Sequence, residues 1–216
     1  MPELYILILT VPIILLSLVV HEFAHGMVSY KLGDPTPQLM GRLTLNPLAH
    51  LDPFGTLMIV MTMLRGFGFG WAKPVPIDPR YYQNPAKGIV LVGLAGPVAN
   101  LTHACLFGLP LRFLSMGFWP SALGPKLGFL LIQFFYTGMI LNLGLAFFNL
   151  LPIPPLDGSR LVRYFLRGQA FRFYTQLERY GFIILFALLF LFNRPFSRFF
   201  SMLLDFGSYL ITGFGL

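Results

Sequence analysis

Three long apolar runs, separated by polar and glycine-proline-rich stretches, lay out the chain. Leu4 to Tyr30, Gly88 to Leu114 and Leu127 to Leu151 are each long enough to cross a bilayer as a helix, since about 20 apolar residues suffice. Pro12 predicts a kink in the first, which membrane helices tolerate where neighbours satisfy the freed carbonyl. The interval Lys31 to Lys87 is rich in Gly, Pro and aromatic residues, and its continuous apolar piece, Phe54 to Leu64, is about half a span long. That piece reads as re-entrant or interfacial. Gly181 to Phe192, ended by Asn193-Arg194-Pro195, and Phe196 to Leu216 predict one or two further membrane helices, tilted or lying in the interface. The expected fold is an all-α membrane protein: a polytopic bundle of about four to six membrane segments with a short re-entrant or β-hairpin insert. Residues 1–216 are expected to form a single membrane domain without an appended module, because no repeat, linker or charge block divides them.

Composition agrees with a lipid setting. Of 216 residues 56% are hydrophobic and 11% charged, against roughly 25% charged in soluble domains. Disorder and an ordinary water-soluble enzyme are both excluded. The net charge of +7 would suggest nucleic acid in a soluble protein, but in a membrane protein basic residues collect in cytoplasmic loops. No nucleic-acid partner is expected. Six Lys and Arg fall in 31–87 and five in 160–179, whereas Arg112 and Lys126 alone separate the later spans. This bias places the N-terminus outside and both basic stretches in the cytoplasm, the five arginines after position 157 facing anionic headgroups. Glu3 is the only charged side chain before the first apolar core, unlike the basic start of a signal peptide, so that run is expected to remain as a span. The single cysteine, Cys105, excludes an intrachain disulfide and a cysteine-based metal cluster.

The chemistry concentrates in the first span. His21-Glu22-Phe23-Ala24-His25 is an H-E-x-x-H sequence; on a helix its histidines share one face and can bind a single zinc. Glu22 borders that face, where a carboxylate can take a proton from a zinc-activated water. A charged residue within a span costs about 2.5 to 3.5 kcal/mol or more unless partnered, and a bound metal supplies such a partner. A proton relay or an interhelical hydrogen-bond cluster is the alternative reading.

Two histidines leave a tetrahedral zinc in need of a third protein ligand. Asp34, Asp52 and Asp78 lie beside turn-forming prolines, and Glu178 and Asp205 near basic or interfacial residues, where solvated or paired carboxylates are ordinary. Asp157 differs, because it closes a stretch in which Pro152, Pro154 and Pro155 break the third span. Broken helix at membrane depth is tolerated where it is buried or lines a wet cavity. A simple Asp-Gly turn is the competing explanation.

Together, H-E-F-A-H at 21–25, G-P-V-A-N at 96–100 and N-L-L-P-I-P-P-L-D-G at 149–158 resemble, in kind and order, the motifs of the site-2 protease family of intramembrane zinc metalloproteases. The resemblance extends over about Leu4 to Arg163. It implies one Zn2+ held by His21, His25 and Asp157, with Glu22 as catalytic base and Asn100 and Asn149 beside the substrate. It further implies hydrolysis of peptide bonds in or near transmembrane segments of other proteins, in a cell membrane, by a minimal member without PDZ or CBS domains. Asn100 and Asn149 read equally as interhelical hydrogen-bonding residues and as donors to a substrate carbonyl. A zinc-binding scaffold or metal transporter is the non-enzymatic alternative.

Depth is consistent with that transfer. With the N-terminus outside, His21 and His25, Gly96 to Asn100, and Asn149 to Asp157 all fall toward the cytoplasmic ends of their spans. Gly66 to Ile77 alternates glycine with aromatics and then prolines, as expected of an edge strand or irregular hairpin able to pair with unwound substrate, or of an interfacial aromatic anchor. The resemblance also implies a β element there. His50 is expected to be an ordinary interfacial histidine, and His103, three residues after Asn100, a neighbour of the site but not a ligand.

Overall fold

The computed structural model describes residues 4–65, 72–116 and 124–214. Among these, nine α-helices follow in order: α1 (Leu4–Lys31), α2 (Thr36–Leu39), α3 (Pro53–Arg65), α4 (Pro85–Ser115), α5 (Pro125–Asn149), α6 (Gly158–Phe165), α7 (Gly168–Glu178), α8 (Gly181–Phe190) and α9 (Asn193–Thr212). Short 3-10 turns at Pro47–Ala49 and Pro79–Tyr81 punctuate the long connection between α1 and α4. Helices α1, α4 and α5 are long and apolar enough to cross a membrane, and α7 with α8, bent by 73° at their junction, pass the same test as one broken pair. The chain is an integral, multi-pass, all-α membrane protein.

Local chemistry explains the boundaries. At the start of α4, Asn84 Oδ1 accepts from the Lys87 backbone N–H at 3.1 Å, and Pro85 occupies a first-turn position where no N–H is needed. Helix α5 likewise opens with Pro125. It stops at Asn149, just before Pro152, Pro154 and Pro155, whose rings cannot continue the ladder. The half-length piece at 54–64 is helical, as α3, and at 13 residues is too short to span.

Helix α4 packs along both α1 and α5, and small residues permit the approach. A Cβ on Gly138 would lie 2.3 Å from the Phe107 ring. Ala104, Leu111, Met139 and Leu143 form the apolar core between α4 and α5, against which α9 lays Leu204 and Ile211. Outward, large apolar side chains stand exposed, among them Leu106 at 61%, Phe113 at 56% and Phe129 at 52%. A soluble bundle would hide such surface; here acyl chains cover it.

The connection from α1 to α4 folds back on the inner half of α1. Its β pairing, among the described residues, is one antiparallel bridge between Leu51 and Ala72, extended by the Lys73 N–H donating to His50 O at 2.8 Å. Residues 66–71 of the expected hairpin lie outside the described residues. Arg42 braces the extended stretch that follows, its guanidinium donating to the carbonyls of Lys73 and Pro74. Asp34 is fully buried there, not solvated in a turn: it accepts from Ser29 Oγ at 2.7 Å, the Asp78 N–H at 2.7 Å and the Thr36 N–H at 2.9 Å. One carboxylate thus ties the end of α1 to the approach to α4.

Candidate metal centre

His21 and His25 stand one turn apart on α1, and their Nε2 atoms lie 3.0 Å from each other. Asp157, at the entrance to α6, brings Oδ2 to 3.2 Å from His21 Nε2 and 3.1 Å from His25 Nε2. All three side chains are buried. Tetrahedral zinc with bonds of about 2.0 Å separates neighbouring ligand atoms by roughly 3.3 Å, so this triangle is close to one face of such a coordination shell.

Hydrogen bonds behind the rings fix what they present. His25 Nδ1 lies 2.6 Å from the Val92 carbonyl oxygen, which can only accept. His21 Nδ1 lies 2.6 Å from Asn100 Oδ1. The orientation of that amide follows from its other end, where Nδ2 donates to Asn142 Oδ1 at 2.9 Å and to Ser17 O at 3.3 Å. Both Nδ1 atoms therefore carry hydrogen, the tautomer that, in a neutral imidazole, turns the Nε2 lone pair toward the other ring and the carboxylate. Three convergent acceptors repel unless a cation lies among them. The donor set, its spacing and its tautomers fit a zinc ion.

Two glycines make the convergence possible. A Cβ at position 96 would lie 2.5 Å from His21 Cε1 and from His25 Nε2, so α4 meets α1 only where Gly96 leaves no side chain. A Cβ at position 158 would lie 2.2 Å from the Leu150 carbonyl oxygen, so the turn that presents Asp157 requires Gly158.

A cavity of about 150 Å³ opens over the triad, lined also by Glu22, Pro74, Val75, Ile77, Asn149, Pro155 and Arg160. Glu22 Oε2 accepts from the Val75 backbone N–H at 3.0 Å. Asn149 donates its Nδ2 to Leu145 O at 2.9 Å, and its side chain borders the cavity. Of the residues predicted from sequence, His21, Glu22, His25, Asn149 and Asp157 surround this one space. Asn100 does not line it. It is fully buried behind His21, with Oδ1 and Nδ2 both engaged within the bundle.

Sequence reasoning missed three participants. Arg160, one helical turn after Asp157, places Nη1 3.6 Å from Asp157 Oδ1 and lines the cavity; the i, i+3 spacing was the available signal. Asn142 carries the polar tier onward, donating Nδ2 to Ser17 Oγ and to Gly138 O, each at 2.9 Å. The Val75 N–H has no side-chain signature at all. His50 is 1% exposed and bonded through Nε2 to Thr44 O at 2.8 Å, a buried histidine instead of an interfacial one. His103 is not part of the triad, and its Nδ1 has no hydrogen-bond partner among the described residues.

Comparison with known proteins places the chain in a family. The profile of Peptidase family M50 matches residues 122–192, the part that contains Asp157. A protein of Bacillus subtilis (strain 168) named "Putative zinc metalloprotease YwhC" is 44% identical over 81% of this chain and 77% of its own length. Proteins named "Putative zinc metalloprotease Rip2" are 33% identical in Mycolicibacterium smegmatis, over 93% of this chain and 76% of theirs, and 30% identical in Mycobacterium tuberculosis (strain H37Rv), over 81% and 63%. No solved structure matches. This chain belongs to peptidase family M50, the site-2 protease family. It is a membrane zinc metalloprotease.

Proposed function

We propose that the protein hydrolyses peptide bonds within or at the edge of the membrane, in transmembrane segments of other proteins, with Glu22 as the general base. The observation that carries this reading is the cavity that joins the His21, His25 and Asp157 triangle to Glu22, which neighbours both histidines on α1. Along α1, His25 and His21 stand about 9 and 15 Å from the Lys31 end at 1.5 Å per residue, so the site lies below the headgroups. With the basic loops in the cytoplasm, that end is the cytoplasmic one and the N-terminus is outside.

His21, His25 and Asp157 would hold the zinc ion, which would supply Lewis acidity to the scissile carbonyl and to water in the cavity. Glu22 receives a proton as water attacks the scissile carbonyl and delivers it to the departing amine. The Val75 N–H holds that carboxylate at the cavity edge in the resting state. A substrate helix must first unwind to expose a carbonyl. The extended backbone at 74–77, beside Glu22, offers an edge on which the unwound segment pairs. Asn149 stands at the rim to orient the substrate backbone, whereas the fully engaged Asn100 orients His21.

The test is Glu22→Gln, assayed in a cell-membrane preparation against a model transmembrane substrate with zinc measured in parallel. Zinc retained and cleavage lost supports Glu22 as base; unchanged cleavage rejects it. A wild-type protein that holds zinc and cleaves no transmembrane segment would instead be a metal-binding scaffold.

A further inference from the structure

Beside the metal cavity lies a second groove, of about 280 Å³, where Ala86 and Ile89 of α4 face Arg160, Arg163, Arg167 and Phe171. Arg160 and Arg163 lie one turn apart on α6, Arg167 lies in the extended link between α6 and α7, and all three line the groove. The positive charge there is only partly matched. Arg163 Nη1 donates to both oxygens of Glu178, at 3.2 and 3.3 Å, and its guanidinium lies 5.3 Å from the Phe171 ring centroid. Arg160 leans on Asp157, a carboxylate whose other oxygen faces the two imidazoles. Arg167 Nη1 donates to the carbonyls of Tyr164 and Leu166, at 2.9 and 3.1 Å, and Arg167 has no carboxylate partner among the described residues.

The opposite wall is apolar, so the groove suits an amphiphile better than a small hydrated anion. Its position agrees. Ala86 and Ile89 are near the membrane-entry end of α4, and Phe165 and Phe173, exposed at 71% and 65%, project from α6 and α7 as side chains that seat at the headgroup boundary. We propose that this groove binds the phosphodiester headgroup of an anionic phospholipid, with the first acyl methylenes against Ile89 and Phe171. Arg160 lines both spaces, so the lipid sits at the flank of the metal cavity. The inference needs only the membrane setting and stands apart from peptide hydrolysis.

Zinc-loaded full-length protein in neutral detergent is titrated with phosphatidylglycerol, with phosphatidylcholine as the zwitterionic control, and bound lipid is counted by native mass spectrometry. Phosphatidylglycerol is expected to bind about tenfold more tightly than phosphatidylcholine, and Arg163→Gln/Arg167→Gln to erase most of that preference with zinc content unchanged. Arg167→Gln alone, just beyond the end of α6, gives the same direction of change if the double variant does not fold. Equal phosphatidylglycerol binding by variant and parent overturns the proposal. Displacement of the lipid by equimolar inorganic phosphate also overturns it, as does tighter binding of an acidic peptide, since each assigns the groove to a soluble anion.

Discussion

Asn100 accepts from His21 at 2.6 Å and is itself held by Asn142 at 2.9 Å, so the tautomer of a proposed metal ligand on α1 is set by amides on α4 and α5. Asn100→Leu removes that acceptor and leaves the His21 Nδ1–H buried without a partner. Zinc affinity, read by competition with a chromogenic chelator, is expected to fall about 10–100-fold. Asn142→Leu acts through Asn100, and its effect is expected in the same direction but smaller. Affinity unchanged in both variants would deny the tier any role at the metal.

Asp157 closes the triangle from a different part of the chain, 3.1 and 3.2 Å from the two imidazoles. Asp157→Ala leaves two histidines on one helix turn, too few for a stable tetrahedral site. Elemental analysis of the purified variant is expected to show zinc falling from one ion per chain toward none. A chelator should have the same effect on the parent protein and abolish cleavage, with readdition of zinc restoring it. The spans, held by apolar packing and lipid, should keep their helical circular dichroism throughout.

Gly96 is a packing prediction with a chemical readout. Any β-carbon there lies 2.5 Å from both imidazole rings, so Gly96→Ala must push α4 away from α1 or rotate the histidines. Zinc content is expected to drop well below that of the parent, and thermal stability to fall by about 1–3 kcal/mol for an overpacked core. Gly124, with no neighbour within 4 Å of an added Cβ among the described residues, is the control position: Gly124→Ala should leave zinc unchanged.

The three spans were legible because lipid imposes length, and the convergence of His21 and His25 because one helix turn fixes their spacing. Asp157 was legible through the prolines that surround it. Asn100 shows where sequence stops: whether an amide faces substrate or a neighbouring helix depends on how α1, α4 and α5 rotate against one another, and no local pattern encodes that rotation. Arg160 was hidden for another reason. It belongs to a run of arginines that the cytoplasmic charge bias explains collectively, and that bias masked the i, i+3 spacing that sets it beside Asp157. The length of α3 was read correctly, whereas Asp34 and His50 were placed in a polar loop that in fact folds back and buries both.

Asp34 gives the last prediction, which concerns acid sensitivity away from the metal. Burial alone raises the pKa of this carboxyl, but donations from Thr36, Asp78 and Ser29 outweigh it and hold the group below its ordinary value of 3.8. A carboxyl with a lowered folded-state pKa binds protons more readily when unfolded. Its contribution to stability is therefore complete above the ordinary value and is lost as pH falls through the range below it. The parent protein is expected to lose stability progressively as pH drops beneath about 4, read by thermal unfolding in detergent. Asp34→Asn keeps one acceptor oxygen, cannot ionise, and should be less stable near neutral pH while showing a flatter slope in the acid range. An unchanged slope in the variant would mean that other carboxylates govern the acid limb.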